Sequence, residues 1–169
     1  DYQWSVTRYV NDQEFMSRCL SNEIRMKVLR EMYMESVKAC PLLRDVPVAL
    51  LSLLLEAGAC EHFKKDDVVC KRGHFGARLY IVVEGSLHAH VGRRRKTMRK
   101  GQVFGHAILI DVCTAYSETV IAASSTTTLG LDRARVEKVL SMHGGWWERV
   151  RERVCEEYGE RPAPVATRE

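Results

Sequence analysis

Several things this chain lacks narrow its function. No apolar run approaches the ~20 residues that a bilayer-crossing helix needs, and no secretory leader opens the sequence. The cysteines at 19, 40, 60, 70, 113 and 155 form no C-x-x-C pair and show no zinc spacing. That pattern points to reduced thiols in an intracellular protein and away from a disulfide frame. An excess of one charge is also missing: 26 basic residues stand against 22 acidic ones, spread widely, for a net charge of +4. No field of the kind that marks a nucleic-acid binder results, and a mildly basic surface is the plain reading. No Walker loop, no Ser/His/Asp or Cys/His set and no paired carboxylates stand out. The first residue is Asp rather than Met, so the chain is expected to be a piece of something larger.

What is present can bury one good core with a small helical appendage, at 169 residues and 46% hydrophobic content. The organising stretch is Arg72-Gly-His-Phe-Gly-Ala-Arg-Leu-Tyr-Ile-Val-Val-Glu-Gly85, where glycines at 73, 76 and 85 punctuate a β-branched and aromatic run. Lys100-Gly-Gln-Val-Phe-Gly-His106 repeats the order of turn, strand and glycine. A single helical turn over Ala107–Asp111 would then aim backbone N–H groups at one point, as an anion cradle does. Strands are predicted at 61–63, 68–71, 78–83, 86–91, 96–99, 119–123 and 126–132, with glycine turns, as in an antiparallel roll or sandwich. Alternation in Ser86–Val91 turns Leu87, Ala89 and Val91 to the core and His88 and His90 outward.

Helices bracket the roll. Asp1 to Cys19 reads as two short helices broken at Asn11-Asp12, with Asn11 as a cap. Ile24, Val28 and Met32 recur every fourth residue and have no obvious partner inside a roll, so this helix is expected to serve contact between subunits rather than folding. The next helix, opened by Asp45 and Pro47 and closed by Gly58, is apolar almost all round and is expected to be sandwiched. Arg133–His143 places Val136, Val139 and Leu140 inward. The last helix carries Trp146 or Trp147, Val150, Val154 and Tyr158 on one face and Glu148, Arg149, Arg151, Glu152 and Arg153 on the other. Residues past Gly159, with Pro162 and Pro164, read as a disordered tail.

The spacing of Gly73, Gly76, Leu79-Tyr-Ile, Gly85 and Phe104-Gly105 resembles the cyclic-nucleotide-binding domain family, in which Phe-Gly-Glu opens a short phosphate-binding helix. Asp1-Tyr-Gln-Trp4, Leu20–Val28 and Ser36–Leu43 resemble the latter half of the C-linker of cyclic-nucleotide-gated, hyperpolarization-activated and ether-à-go-go-type channels. The resemblance implies an α+β fold with a jelly-roll-like antiparallel β-roll of about eight strands. It divides the chain into a C-linker-like segment at 1–44, a binding-type domain at 45–159 and a tail at 160–169. It also implies the gating module of a tetrameric cation channel, on the cytoplasmic face of a membrane, with the rest of its own polypeptide as partner and homo- or heterotetramer contacts through the C-linker. The runner-up is a functional nucleotide sensor on another protein, such as a kinase regulatory subunit or a membrane exchanger.

By the same resemblance the pocket is Phe104, Gly105, His106, Ala107, Ile108, Tyr116 and Ser117, with Arg153 from the final helix. The family's glutamate on the ribose is here His106. Its arginine on the phosphate falls on Tyr116, or on Ala115 in another loop register; neither is a cation. Each lost charge-assisted contact is worth ~1.5–3 kcal/mol, so cAMP and cGMP are expected to bind weakly or not at all. Tyr116 is expected to turn its ring into the phosphate space, as residues of the domain itself do in some ether-à-go-go-type channels. No other cofactor and no nucleic acid is expected. The basic hairpin from Arg93 to Lys100 reads either as a solvated turn or as a contact for anionic lipid or an acidic partner. His88, His90 and His106 raise a cupin-type metal site, against which stands the Arg93-Arg-Arg run beside the pair.

Overall fold

The computed structural model of the chain describes residues 21–159. The expected helices before Cys19, the Tyr2-x-x-Trp4 start and the tail from residue 160 lie outside the described residues. Helix α1 (Asn22–Ala39) starts where the Ser21 hydroxyl accepts from the Ile24 N–H and ends against Pro41, which holds Cys40 in an extended conformation. Helix α2 (Val48–Ala57) begins directly after Pro47 and stops at Gly58. Eight strands follow: β1 (Ala59–Phe63), β2 (Val68–Cys70), β3 (Arg78–Glu84), β4 (Ser86–Val91), β5 (Arg94–Arg99), β6 (Val103–Phe104), β7 (Thr119–Ala122) and β8 (Thr126–Asp132). A four-residue helix, α3 (His106–Leu109), sits between β6 and β7, while α4 (Arg133–Ser141) and α5 (Trp146–Tyr158) close the chain.

The strands form two antiparallel four-stranded sheets, in the orders β1-β8-β3-β6 and β2-β7-β4-β5. The fold is the α+β roll that the sequence implies, with two facing sheets rather than a closed barrel. Strand β3 explains why there are two cores. Its alternate residues Leu79, Ile81 and Val83 join a cluster with the helices, whereas Tyr80 and Val82 point into the space between the sheets. Leu87 and Ala89 of β4 meet them there, fully buried, with Val120 and Ala122 of β7. The expected alternation of β4 is thus observed at both described apolar positions, with His88 and His90 on the other face.

Two helical expectations are corrected. Helix α1 is expected from its sequence to serve contact between subunits rather than folding, and Ile24 is exposed while Val28 and Met32 only flank the core, but the helix also buries Leu29, Tyr33, Ser36 and Val37. The Ser36 hydroxyl donates to the Val83 carbonyl 3.2 Å away, and Leu29, Tyr33, Val37, Cys40, Leu42 and Leu43 belong to the same cluster as β3. This helix therefore completes the core of the roll. A one-residue step around the helix separates the two rows, and it puts Leu29, Tyr33 and Val37 in one cluster with Leu79, Ile81 and Val83 of β3. Helix α2 is not sandwiched all round either: Leu50, Leu51, Leu54 and Leu55 are buried, but Val48 and Leu53 face solvent. Aliphatic composition without periodicity could not say which side would be left open.

Candidate functional site

The described residues enclose a cavity of about 260 Å³ where β5, β6, α3 and the loop before β7 meet. Phe104, Gly105, His106, Ala107, Ile108, Tyr116 and Ser117 all line it, so seven of the eight anticipated positions converge. Phe104 stacks on Tyr80 with ring centroids 4.9 Å apart and planes at 10°, and Tyr116 tilts against the same Tyr80 at 6.4 Å and 45°. Gly105 has φ 81, and a Cβ there would lie 2.6 Å from the Arg78 carbonyl oxygen, so the start of α3 needs glycine for both its conformation and its closeness to β3. The Ile108 and Leu109 N–H groups donate back to the Gly105 carbonyl, at 3.2 and 3.3 Å, which forms the short turn. The turn that sequence placed over 107–111 therefore starts one residue earlier, at His106, and stops at Leu109.

Tyr116 is fixed at both ends. Its N–H donates to the His74 carbonyl at 3.0 Å and its own carbonyl accepts from Gly73 at 2.8 Å, while Gly76 donates to Thr114 at 3.1 Å. These bonds zip the loop before β7 onto the loop between β2 and β3. The ring then lies over Gly76, where a Cβ would come within 2.3 Å of it, and its hydroxyl donates to the Arg78 carbonyl at 3.4 Å. Burial is the main reason that its phenol is held well above the ordinary tyrosine range, with Tyr80 and Cys70 adding to it. An uncharged aromatic ring thus stands at the place where the resemblance implies a cation.

The imidazole of His106 is lowered to about 4, first by burial and then by the positive charge of Lys96, so it is neutral at pH 7. A neutral imidazole has neither the charge nor the two oxygens of a carboxylate. Lys96 and Glu118 line the cavity too, and both were missed. The signal for them was available: Ala89 pairs with Lys96 and Leu87 with Met98, so carrying the β4 alternation across the hairpin turns Lys96 inward. Likewise Val120 and Ala122 are buried, which puts Glu118 on the same face of its strand. Cys70 also lines the cavity, and burial raises its thiol to about 11, so it is an inert wall group.

Arg153 is the anticipated position that does not join the site. Its guanidinium donates to the Leu42 carbonyl at 3.1 Å and to the Asp45 carboxylate at 2.7 Å, tying α5 to the link between α1 and α2. The carbonyls it meets lie just past the last turn of α1, where the helix itself supplies no donors. Arg149 lies over the Trp146 ring at 4.8 Å and Arg151 over Trp147 at 5.9 Å, rather than in the ion pairs with Glu148, Glu152 and Glu156 that their alternation invites. Arg78, close to the cavity in sequence, spends its guanidinium on Glu61 and on Asp132, the latter at 2.9 Å. Among the described cavity-lining residues Lys96 is the lone permanent cation, and Glu118 offsets it.

The histidines of the metal reading are not brought together. His88 faces outward and shares a hydrogen bond with Thr97, on the opposite side of the sheet from the cavity that His106 lines. Among the described residues none of the five cysteines, Cys40, Cys60, Cys70, Cys113 and Cys155, is in a disulfide.

Residues 60–143 match the family model described as "Cyclic nucleotide-binding domain", and they coincide with the two sheets, α3 and α4. A cyclic nucleotide-gated channel of Caenorhabditis elegans is 24% identical over 115 residues, which cover 66% of this chain and 16% of that protein. A cyclic nucleotide-gated cation channel of Ictalurus punctatus is 25% identical over 87 residues, covering 52% of this chain and 13% of that one. Cyclic nucleotide-gated channel alpha-3 of Homo sapiens is 25% identical over 87 residues, or 52% of this chain and 12% of that protein. The chain thus spans about a sixth or less of the length of these relatives. Through its 60–143 segment it belongs to the cyclic nucleotide-binding domain family.

Proposed function

We propose that this chain is the regulatory, gating module of a tetrameric cation channel, on the cytoplasmic face of the membrane, and that its pocket binds cAMP and cGMP weakly or not at all. The channel assignment is supported by the similarity to cyclic nucleotide-gated channels and by a helical segment that precedes the roll and packs against it. The observation that carries the weak-binding part is the ring of Tyr116, seated over Gly76 and bonded to Arg78, in a cavity whose lining holds no arginine among the described residues. A cyclic phosphate entering there meets Lys96 and Glu118 together, a pair of near-zero net charge, and a ribose meets a neutral His106. Loss of the two charge-assisted contacts weakens affinity by about two orders of magnitude or more.

In this account gating is driven by contacts between the roll, the helices before it and neighbouring subunits. The division at residues 44 and 159 belongs to the same proposal, with α1 contributing to both the linker and the core of the roll. The test is recording from the full-length polypeptide in excised patches, with cAMP and then cGMP at the inner face. Cation currents whose activation does not shift with either nucleotide are expected. A large nucleotide-dependent shift would overturn the weak-binding part, and absence of any current together with nucleotide-dependent activity of an attached domain would favour a sensor on another protein.

A further inference from the structure

Sheet β2-β7-β4-β5 gathers an unusual set of side chains at one end. Cys70 and Ala89 flank Val120 on either side, His90 pairs with Thr119 and with Arg95, and the Arg72 N–H donates to the Thr119 hydroxyl at 3.1 Å. Thr119, His90 and Arg95 therefore form one row across β7, β4 and β5, and the turn after β2 brings Arg72 to the Thr119 end of it. Just beyond that row lie the β4–β5 turn, with Arg93 and Arg94, and the loop from Lys71 to Gly76. All five of these cations, Lys71, Arg72, Arg93, Arg94 and Arg95, are exposed, and none of them forms an ion pair among the described residues. Glu118, next to Thr119, is half-buried and turned toward the cavity.

Phe75 projects from the same end and is 86% exposed. Its backbone is held: it bridges to Ala115, and the bonds from Gly73, Tyr116 and Gly76 fix the residues around it. Among the described residues Phe75 is the most exposed large apolar side chain, and it stands amid these cations. The cations sit at the opposite end of β5 from Arg99 and Lys100, of which Lys100 reaches Glu35 at 3.4 Å, so the Arg93–Lys100 run is not one patch.

We propose that the Phe75 loop and the Arg93–Arg95 hairpin end form a docking surface for an anionic lipid membrane, with Phe75 entering the headgroup–acyl boundary and the five cations facing the phosphate layer. Charge complementarity selects the occupant, and the exposed ring supplies what a soluble polyanion does not need. Each basic residue near such a surface contributes about fivefold to partitioning, and the apolar ring adds to it. This surface lies outside the nucleotide cavity, so its failure and the failure of the weak-binding reading are separate results.

The test is co-sedimentation of the 169-residue chain with phosphatidylcholine vesicles and with vesicles in which about a third of the lipid is phosphatidylserine. Binding to the second kind alone, released by salt, is expected. Joint change of Arg93, Arg94 and Arg95 to Gln is expected to lower partitioning about tenfold or more. Phe75→Ser should lower it severalfold at unchanged charge, while Phe75→Trp keeps it. Circular dichroism checks the folding of each variant, which should be retained since all four side chains are exposed. The proposal is overturned if the wild-type chain ignores phosphatidylserine vesicles, or if both variants bind as it does. It is equally overturned if polyglutamate or duplex RNA competes fully while Phe75→Ser and Phe75→Trp are indistinguishable, which would mark the patch as a site for soluble polyanions.

Discussion

The two sides of β3 carry different kinds of residue over the same seven positions. Toward the helices Leu79, Ile81 and Val83 are aliphatic and buried in one cluster with residues of α1, α2 and α4. Toward the second sheet Tyr80 carries a hydroxyl and stacks with Phe104, in contact with Tyr116, at the edge of a cavity that also holds His106, Lys96 and Glu118. Among the described residues the helix side buries Tyr33 and the thiols of Cys40 and Cys60, both thiols pushed up to about 12 by burial. It follows that stability rests mainly on one side, and that ligand chemistry is open to change on the other. A pocket can lose its charged contacts without the fold being lost because the frame that shapes it is backbone and glycine.

The largest expected effect lies on the helix side. Removing residues 1–40 strips Leu29, Tyr33 and Val37 from the core, and the remaining chain should show no cooperative urea transition; an unchanged midpoint would make α1 an appendage after all. Ile81→Ala, at a site with no exposure, should lower stability by about 2–5 kcal/mol in the same assay. Gly105→Ala should cost about 1–3 kcal/mol, since φ 81 and the 2.6 Å approach to the Arg78 oxygen both oppose a Cβ. If it is tolerated without loss, the start of α3 is free to move and the frame argument weakens. On the pocket side Tyr116→Phe removes the hydroxyl that bonds the Arg78 carbonyl at 3.4 Å and should cost about 1 kcal/mol.

A smaller effect carries a sign. His106 binds its proton less tightly in the folded state, at about 4, than at its ordinary 6.5. The unfolded chain therefore takes up that proton first as pH falls, and stability should decline between about pH 6.5 and pH 4, then level off. Because the ring is partly open to solvent, the loss should stay below about 2 kcal/mol. Melting temperatures of the wild-type chain and His106→Gln across that window measure it: the difference between them should shrink toward acid pH, and parallel curves would mean that His106 does not titrate as described.

The roll was legible from the sequence because its signals are local. Gly73, Gly85 and Gly105 sit at positive φ, and the alternation of Leu87 and Ala89 needed no partner to be read. Tyr116 was found because spacing from Thr119 placed it, and its loop is held by backbone bonds that tolerate many side chains. What failed was orientation between elements. Arg153 was one of several arginines on a helix face, and only the approach of Leu42 and Asp45 decides that it ties α5 to the α1–α2 link. The role of α1 was missed for the same reason, since beside Ile24, Val28 and Met32 the equally periodic Leu29, Tyr33, Val37 set was there to be read, and only the packing beside β3 shows that it joins the core. Lys96 and Glu118 were reachable through the pairing register, but a charged residue on an inward face is not expected until the cavity mouth is known to be there.

Titration calorimetry of cAMP and cGMP into the chain, beside the double variant His106→Glu with Tyr116→Arg, tests the central claim most directly. The wild-type chain should show no saturation in the low micromolar range with either nucleotide. The double variant should bind at least one of them more tightly, by about two orders of magnitude if both contacts re-form. Low-micromolar binding by the wild-type chain would contradict the account, because it would mean that the Tyr116 ring yields its place and that Lys96 suffices for the phosphate.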